Sequence, residues 1–177
     1  MKLGDVCIKI GSGATPRGGS KAYKAEGIPI IRSQNVRDWA FDADGLAYID
    51  DEQSLRLAGV EVKSRDVLLN ITGDSVARAC MVPDRFVPAR VNQHVAIIRA
   101  GDRIDPLFLL CWLQMMKPKL LKMASSGATR NALTKSMIGS LEIDLPSLET
   151  QQGIASIVEA LQLKMTINQQ LNDYLAA

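Results

Sequence analysis

Residues 125–152 read SSGATRNALTKSMIGSLEIDLPSLETQQ, from Ser125 to Gln152, and three kinds of chain meet within them. The first part is polar and glycine-interrupted, with Arg130 and Lys135 set among hydroxyl side chains, which is loop chemistry. Ile138 to Leu145 is a short apolar run of strand length. Pro146-Ser147 ends that run, and the chain then reads as one helix to its end. Ser147 supplies the N-cap, and Glu149 places an anion in the first turn, where the helix dipole favours it. This junction predicts a domain over residues 1–146 and a helical region over 147–177.

Toward the C-terminus, Ile154, Ile157, Leu161, Leu171 and Leu175 recur at a 3–4 spacing. Heptads written from Ile154 place Lys164 and Asn168 in the same seam, where a polar residue costs stability but fixes register and partner number. Val158, Leu163, Met165 and Ile167 widen the apolar surface beyond what one helix can bury on its own domain. The spacing therefore predicts a partner helix in a coiled-coil-like dimer. A terminal helix folded back on its own core is the alternative.

Toward the N-terminus the pattern becomes one of short strands. Lys2 to Ile10 alternates loosely and enters Gly11 to Gly19, a loop by its glycine and proline content. GSGATPRGG imitates a phosphate-binding loop but lacks the Gly-Lys-Ser/Thr ending, so no nucleotide site is expected. Ile28 to Arg32 and Leu46 to Ile49 read as strands, and Asp50 to Ala58 as a small helix closed by Gly59. Asp66 to Thr72, DVLLNIT, is a nearly continuous apolar run that predicts a strand buried on both faces. Gly73-Asp74 reads as a hairpin turn into Ser75 to Val82, and Val91 to Arg99 as a further strand. Asp105-Pro106 opens a helix that is apolar almost all round from Leu107 to Met116, hence buried, and that breaks at Pro118. The fold expected is α/β, a mixed α+β domain with short twisted strands, followed by a long C-terminal α-helix.

The totals fit one domain with an appendage: 177 residues, 47% apolar and 23% charged. No apolar run approaches the ~20 residues of a membrane span. The opening MKLGDVCIKIG lacks the apolar core of a secretory signal. Three widely spaced cysteines, Cys7, Cys80 and Cys111, point to a reducing cytoplasm rather than a disulfide scaffold. The net charge of +2 is unevenly spread, since residues 1–146 hold 20 basic and 16 acidic side chains. Between Pro106 and Leu141 lie Lys117, Lys119, Lys122, Arg130 and Lys135 with no acid, a pattern that favours a polyanion.

Catalytic signatures are missing. The single histidine, His94, has no nucleophile signature to serve, and no cysteine or histidine spacing suits a metal. Pro83-Asp84 is not followed by the acid-x-Lys of a nuclease, and Asp144-Leu145-Pro146-Ser147 only imitates a methyltransferase motif. The expectation is a chain that is not an enzyme. What remains are polar clusters at strand ends and loops. Ser12, Thr15 and Arg17 form one, and Arg32, Ser33, Gln34 and Asn35 a second. Thr72, Ser75 and Arg78 make a third, Arg90, Asn92, Gln93 and His94 a fourth, and Thr129, Arg130, Asn131 and Lys135 the last. Arg can bridge guanine, Asn and Gln can pair with adenine, and Lys, Ser and Thr suit phosphates. Together with the basic window these clusters predict DNA binding.

The segments KLGDVCIKIGSGATPRGG, GIPIIRSQNV, DVLLNITGDSVARACMVP, VNQHVAIIR, SSGATRNALTKSMIGSLEIDLP and PSLETQQGIASIV follow one another through nearly the whole chain. In that order they resemble the specificity subunit of type I restriction-modification systems. The resemblance implies a non-catalytic target recognition domain that reads one half of a bipartite DNA target. It also implies docking of adenine-N6 methyltransferase subunits, which bring S-adenosylmethionine, with restriction translocase subunits joining the full complex. The helix would act as spacer and dimerisation element. The family's usual subunit carries two such domains and two helical regions in tandem, whereas this chain holds one of each. It is expected to be a half-length subunit, which two-fold pairing would complete, or a fragment. The competing expectations are the DNA-recognition module of another methyltransferase system and a helix-mediated protein assembly module without DNA binding.

Overall fold

The computed structural model describes residues 1–125 and 131–176. Its first sheet is antiparallel and runs in the order β1 (Cys7–Ser12), β8 (Val95–Ala100), β5 (Val67–Asn70), β6 (Ala79–Met81). Every residue of β5 is buried. Val67 and Leu69 face one apolar layer with Ile98, Leu109 and Leu113, while Leu68 faces a second with Ile97, Cys80 and Ile31. Burial on both faces is why this strand shows no apolar–polar alternation, which is needed only where one face meets water.

The two layers have different covers. On one side lie α2 (Pro106–Met115) and α3 (Lys117–Ser125), contributing Phe108, Leu110, Trp112 and Leu120. On the other lies a second sheet in the order β3 (Ala47–Ile49), β2 (Ile28–Ile31), β7 (Ala89–Val91), β4 (Glu61–Val62). In it β2 and β7 are parallel and the other pairs antiparallel. The outer face of this sheet closes on Leu57, just after α1 (Asp51–Arg56).

The helix starts follow local chemistry. Asp50 accepts from the Gln53 amide at 2.9 Å, and Asp105 from those of Leu107 and Phe108 at 2.8 and 3.0 Å. Pro118 stands in the first turn of α3, where its missing N–H leaves no hydrogen bond unmade.

Other segments depart from the sequence expectations. Ile138 to Leu145 is not a strand. Ile138 belongs to α4 (Lys135–Gly139), and only Glu142 makes a ladder contact, an isolated bridge to Lys2. The Thr134 hydroxyl accepts from the Met137 amide at 3.2 Å, so a cap outweighs the apolar run. Val91 to Arg99 is not one strand, because Asn92 to His94 form a turn that sends β7 and β8 to different sheets. Asn92 Oδ1 accepts from the His94 amide at 3.1 Å, which closes that turn. The β5–β6 connection is a long loop from Ile71 to Arg78 rather than a tight hairpin at Gly73-Asp74. The first strand begins at Cys7, after a 3₁₀ turn at Leu3–Asp5.

The chain ends in α5 (Leu148–Leu175), capped by Ser147 Oγ, which accepts from the Thr150 amide at 3.2 Å. Gln151 is 1% exposed and fastens the helix to its domain. Its carbonyl accepts from the Asp105 amide at 2.9 Å, and its amide donates to the carbonyls of Arg103 and Pro146 at 3.1 and 3.0 Å. Beyond it only Ala155 is buried among the helix's described residues. Ile157, Leu161, Leu171 and Leu175 are 64%, 57%, 53% and 72% exposed, so the helix does not fold back on its own core. No helix among the described residues is long and apolar enough to cross a membrane.

Candidate nucleic-acid interface

The ends of the two sheets converge on Thr72. The Ile71 amide donates to the His94 carbonyl at 3.0 Å, and the Leu133 amide donates to the Ile71 carbonyl at 2.8 Å. The Gly73 amide donates to the Asn131 carbonyl at 3.2 Å, so the strand end is clamped from two sides. The loop after β1 joins them because Gly13 has no side chain: a Cβ there would lie 2.0 Å from the Val91 carbonyl oxygen. That approach lets the Gly13 and Ala14 amides bond the carbonyls of Val95 and Val91 at 2.9 and 3.1 Å, and it brings Thr15 to Gln93. Thr15 Oγ1 then lies 2.7 Å from Gln93 Oε1, Gln93 Nε2 lies 2.9 Å from His94 Nε2, and His94 Nδ1 lies 2.6 Å from Thr72 Oγ1.

Beside this chain opens a cavity of about 440 Å³. Ser33, Gln34 and Arg37 line it from the turn after β2, His94 from the 92–94 turn, and Thr72 to Ser75 with Arg78 from the β5–β6 loop. Arg37 bonds Asp42 through Nε and Nη2 at 3.2 and 3.1 Å. The side chains of Ser33, Gln34, Asp74, Ser75 and Arg78 have no hydrogen-bond or ion-pair partner among the described residues. Their polar groups are open to solvent or a ligand. A phosphate would use donors alone, whereas this lining offers a guanidinium fork, hydroxyls, an amide and a carboxylate, the mixture a base edge requires.

Not every residue singled out from the sequence reaches the cleft. Asn35 is fully buried, and its amide donates to the carbonyls of Asp42 and Asp44 at 2.9 and 3.3 Å. Arg90, 6% exposed, pairs with Glu61 at 3.2 Å and donates to the Ser54 carbonyl at 3.1 Å. Asn92 is buried in its turn, and Arg32 lies over the Tyr23 ring with its other contact at the Gly45 carbonyl. These four are framework side chains. Ser12 ends β1, and Arg17 is exposed on the neighbouring loop, where its backbone bonds Gln53. Thr129 and Arg130 lie outside the described residues. Asn131 is exposed next to Gly73, whereas Lys135 lines shallow hollows with Lys2, Thr134 and Ser136 and with Lys9. Of the basic window, Lys117 is taken by Asp38, and Lys119 and Lys122 are exposed on α3.

The cleft also holds residues the sequence reading passed over, namely Arg37 and Asp74. Arg37 follows the polar Ser33–Asn35 run within two residues, and Asp74 sits in the Thr72–Arg78 segment, so both lay beside signals already noted. Among the described residues no group of three or more His, Cys, Asp or Glu side chains is arranged to hold a metal. Burial pushes the Cys7 and Cys80 thiols up to about 12, which keeps them protonated and unreactive at neutral pH.

Comparison with known proteins bears on the fold and the family of the chain. Over 151 residues the chain is 24% identical to the "Putative type I restriction enzyme MjaX specificity subunit" of Methanocaldococcus jannaschii, covering 82% of this chain and 36% of that protein. It superposes with a TM-score of 0.74 and 23% identity on a chain from a structural study of the complex assembly and conformational transition of the type I R-M system, covering 96% of this chain and 39% of that one. The HsdS subunit of Thermoanaerobacter tengcongensis superposes with a TM-score of 0.69 and 22% identity, over 94% of this chain and 38% of that one. The chain thus spans well under half the length of the relatives it matches, and the structural likeness is one of fold. The model of the family described as the type I restriction modification DNA specificity domain matches residues 1–177, and the chain belongs to that family.

Proposed function

We propose that this chain is the DNA-reading part of a type I restriction-modification complex in the cytoplasm, and that the cleft around Thr72 and Arg78 reads one half of a bipartite target. The domain over residues 1–146 does the reading. Adenine-N6 methyltransferase subunits dock on the chain and bring S-adenosylmethionine, this chain binding no cofactor itself, and restriction translocase subunits join the complete assembly. The region 147–177 pairs with a partner helix and sets the distance between the half-sites. One observation carries the reading: polar side chains of both hydrogen-bonding senses converge in one cleft and have no internal partners among the described residues. Buried polar side chains such as Asn35 and Arg90 are spent on the protein itself, whereas those of the cleft stay available to a ligand.

Binding measured by fluorescence anisotropy across salt concentrations tests it. Arg78→Ala is expected to weaken specific binding by about 1–3 kcal/mol and to relax selectivity at one base position. Lys122→Ala should weaken all sequences alike and lower the salt slope by about one. Binding to a partner that does not change with salt would make the chain a protein assembly module instead.

A further inference from the structure

Thr15, Gln93, His94 and Thr72 form a hydrogen-bonded relay that is closed at one end and open at the other. The Thr15 hydroxyl donates to Gln93 Oε1 at 2.7 Å, which turns the Gln93 amide nitrogen toward His94 Nε2 at 2.9 Å. A neutral imidazole carries one donor and one acceptor nitrogen. With Nε2 accepting, the ring proton belongs on Nδ1, which donates to Thr72 Oγ1 at 2.6 Å. The Thr72 hydroxyl proton is then unused by the protein, and Thr72 lines the cavity. The backbone bonds at Ile71 and Gly73 hold that hydroxyl in place.

Building on the DNA-reading role proposed above, we propose that this relay fixes Thr72 as a hydrogen-bond donor to a base and that the cleft reads a G·C pair. Guanine presents two adjacent acceptors, N7 and O6, in the major groove, and cytosine beside it presents an amino group. Thr72 and Arg78 supply the two donors, and Asp74 in the same cavity accepts from the cytosine amino group. Adenine would turn its own amino group toward a donor, and thymine offers one acceptor beside a methyl group. Thr72 and Arg78 are the readers, while Gln93 and His94 are positioning residues. The opposite polarity, with Thr72 donating to Nδ1, would present an acceptor and select an amino-bearing edge.

The charged groups facing His94 across the cavity are Arg37, Asp74 and Arg78. If the ring takes a second proton, Nδ1–H still points at Thr72 and the Gln93 amide turns to accept, so the donor survives. In Gln93→Glu the neutral ring must place its proton on Nε2 to meet the carboxylate. Nδ1 then accepts from Thr72 and the donor is withdrawn, whereas the imidazolium at lower pH donates at both ends and restores it.

The test selects targets for the full chain from a random duplex pool and then measures competition binding. The wild type is expected to prefer G·C over A·T at one position, and Thr72→Val should reduce that preference by about tenfold while sparing other positions. Thr72→Ser should keep the preference. Gln93→Glu should keep it at about pH 6 and lose it by about pH 9, while the wild type stays constant, a signature that a purely structural relay would not give. A preference for A·T at that position, an equal loss at every position in Thr72→Val, or a pH-independent Gln93→Glu would overturn the relay and leave DNA reading intact. A wild-type chain that selects no sequence overturns both.

Discussion

At the scale of single residues, Asp66 and Arg99 form a bidentate tie inside the fold. Two parallel bonds of 2.7 Å join Arg99 Nε and Nη2 to the carboxylate, and Asp66 is 1% exposed. The same guanidinium donates to the Glu61 carbonyl in the second sheet at 3.0 Å, while the Lys63 amide donates to Asp66 at 2.7 Å. One carboxylate thus ties the inner strands β8 and β5 of the first sheet to the edge strand β4 of the second. Removing it leaves the cation with no counter-charge beyond the Glu61 carbonyl and the Lys63 amide with no partner in a half-buried place, so Asp66→Ala is expected to cost about 3–5 kcal/mol in urea unfolding. The exposed pair of Arg56 and Glu52 has no such consequence, because water replaces either partner. A loss for Asp66→Ala as small as that of an exposed pair would mean that water reaches the site. The contrast also limits what a sequence can say of its charges. Arg78 and Arg90 are both arginines preceded by alanine, yet one is open in the cleft and the other sealed against Glu61 and Ser54. Burial separates them, and burial comes from elements distant in sequence.

At the scale of elements, what depended on neighbouring residues was legible in the sequence. Asp50, Asp105 and Ser147 cap helices because each cap reaches an amide two or three residues on. The two-sided burial of β5 followed from its nearly continuous apolar run. Thr134 carried the same local signal, and the apolar residues after it concealed the start of α4. What could not be read was where distant segments meet, as at the Thr15–Gln93 contact across 78 positions or at Gln151. Gln151 spends both ends of its amide on backbone groups of Asp105, Arg103 and Pro146, so it fixes the angle at which α5 leaves the domain. Gln151→Ala would strand one buried N–H and two carbonyls, with an expected cost of about 1–3 kcal/mol. Hydrogen exchange should quicken at Asp105 and in the first turn of α5 while β5 keeps its protection. Uniform acceleration across the molecule would instead make Gln151 an ordinary core residue.

At the scale of the whole molecule, the long helix is what the single chain leaves unfinished. Past Ala155 its apolar side chains are exposed among the described residues except for the half-buried Val158, although the domain behind it has a full core of its own. An exposed stripe of this extent marks an association surface, and Lys164 and Asn168 within the heptad seam would limit which registers pair. If the partner is a second copy, two-fold symmetry makes the two recognition domains identical in what they read and opposite in direction. Methylome sequencing of cells carrying this chain with its methyltransferase should then return an interrupted palindrome, and the purified chain should sediment as a dimer. Ile157→Asp with Leu171→Asp should yield a monomer whose domain unfolds at an unchanged temperature, since both side chains are more than half exposed and touch little of their own domain. That monomer should still bind a single half-site, with its salt slope halved relative to the dimer, because the phosphates it contacts are those of one domain. A two-part motif with unlike halves would mean that the second half is read by a different domain, and α5 would then pair with a helix of another sequence. The exposed stripe accommodates either partner, and the symmetry of the methylated site decides between them.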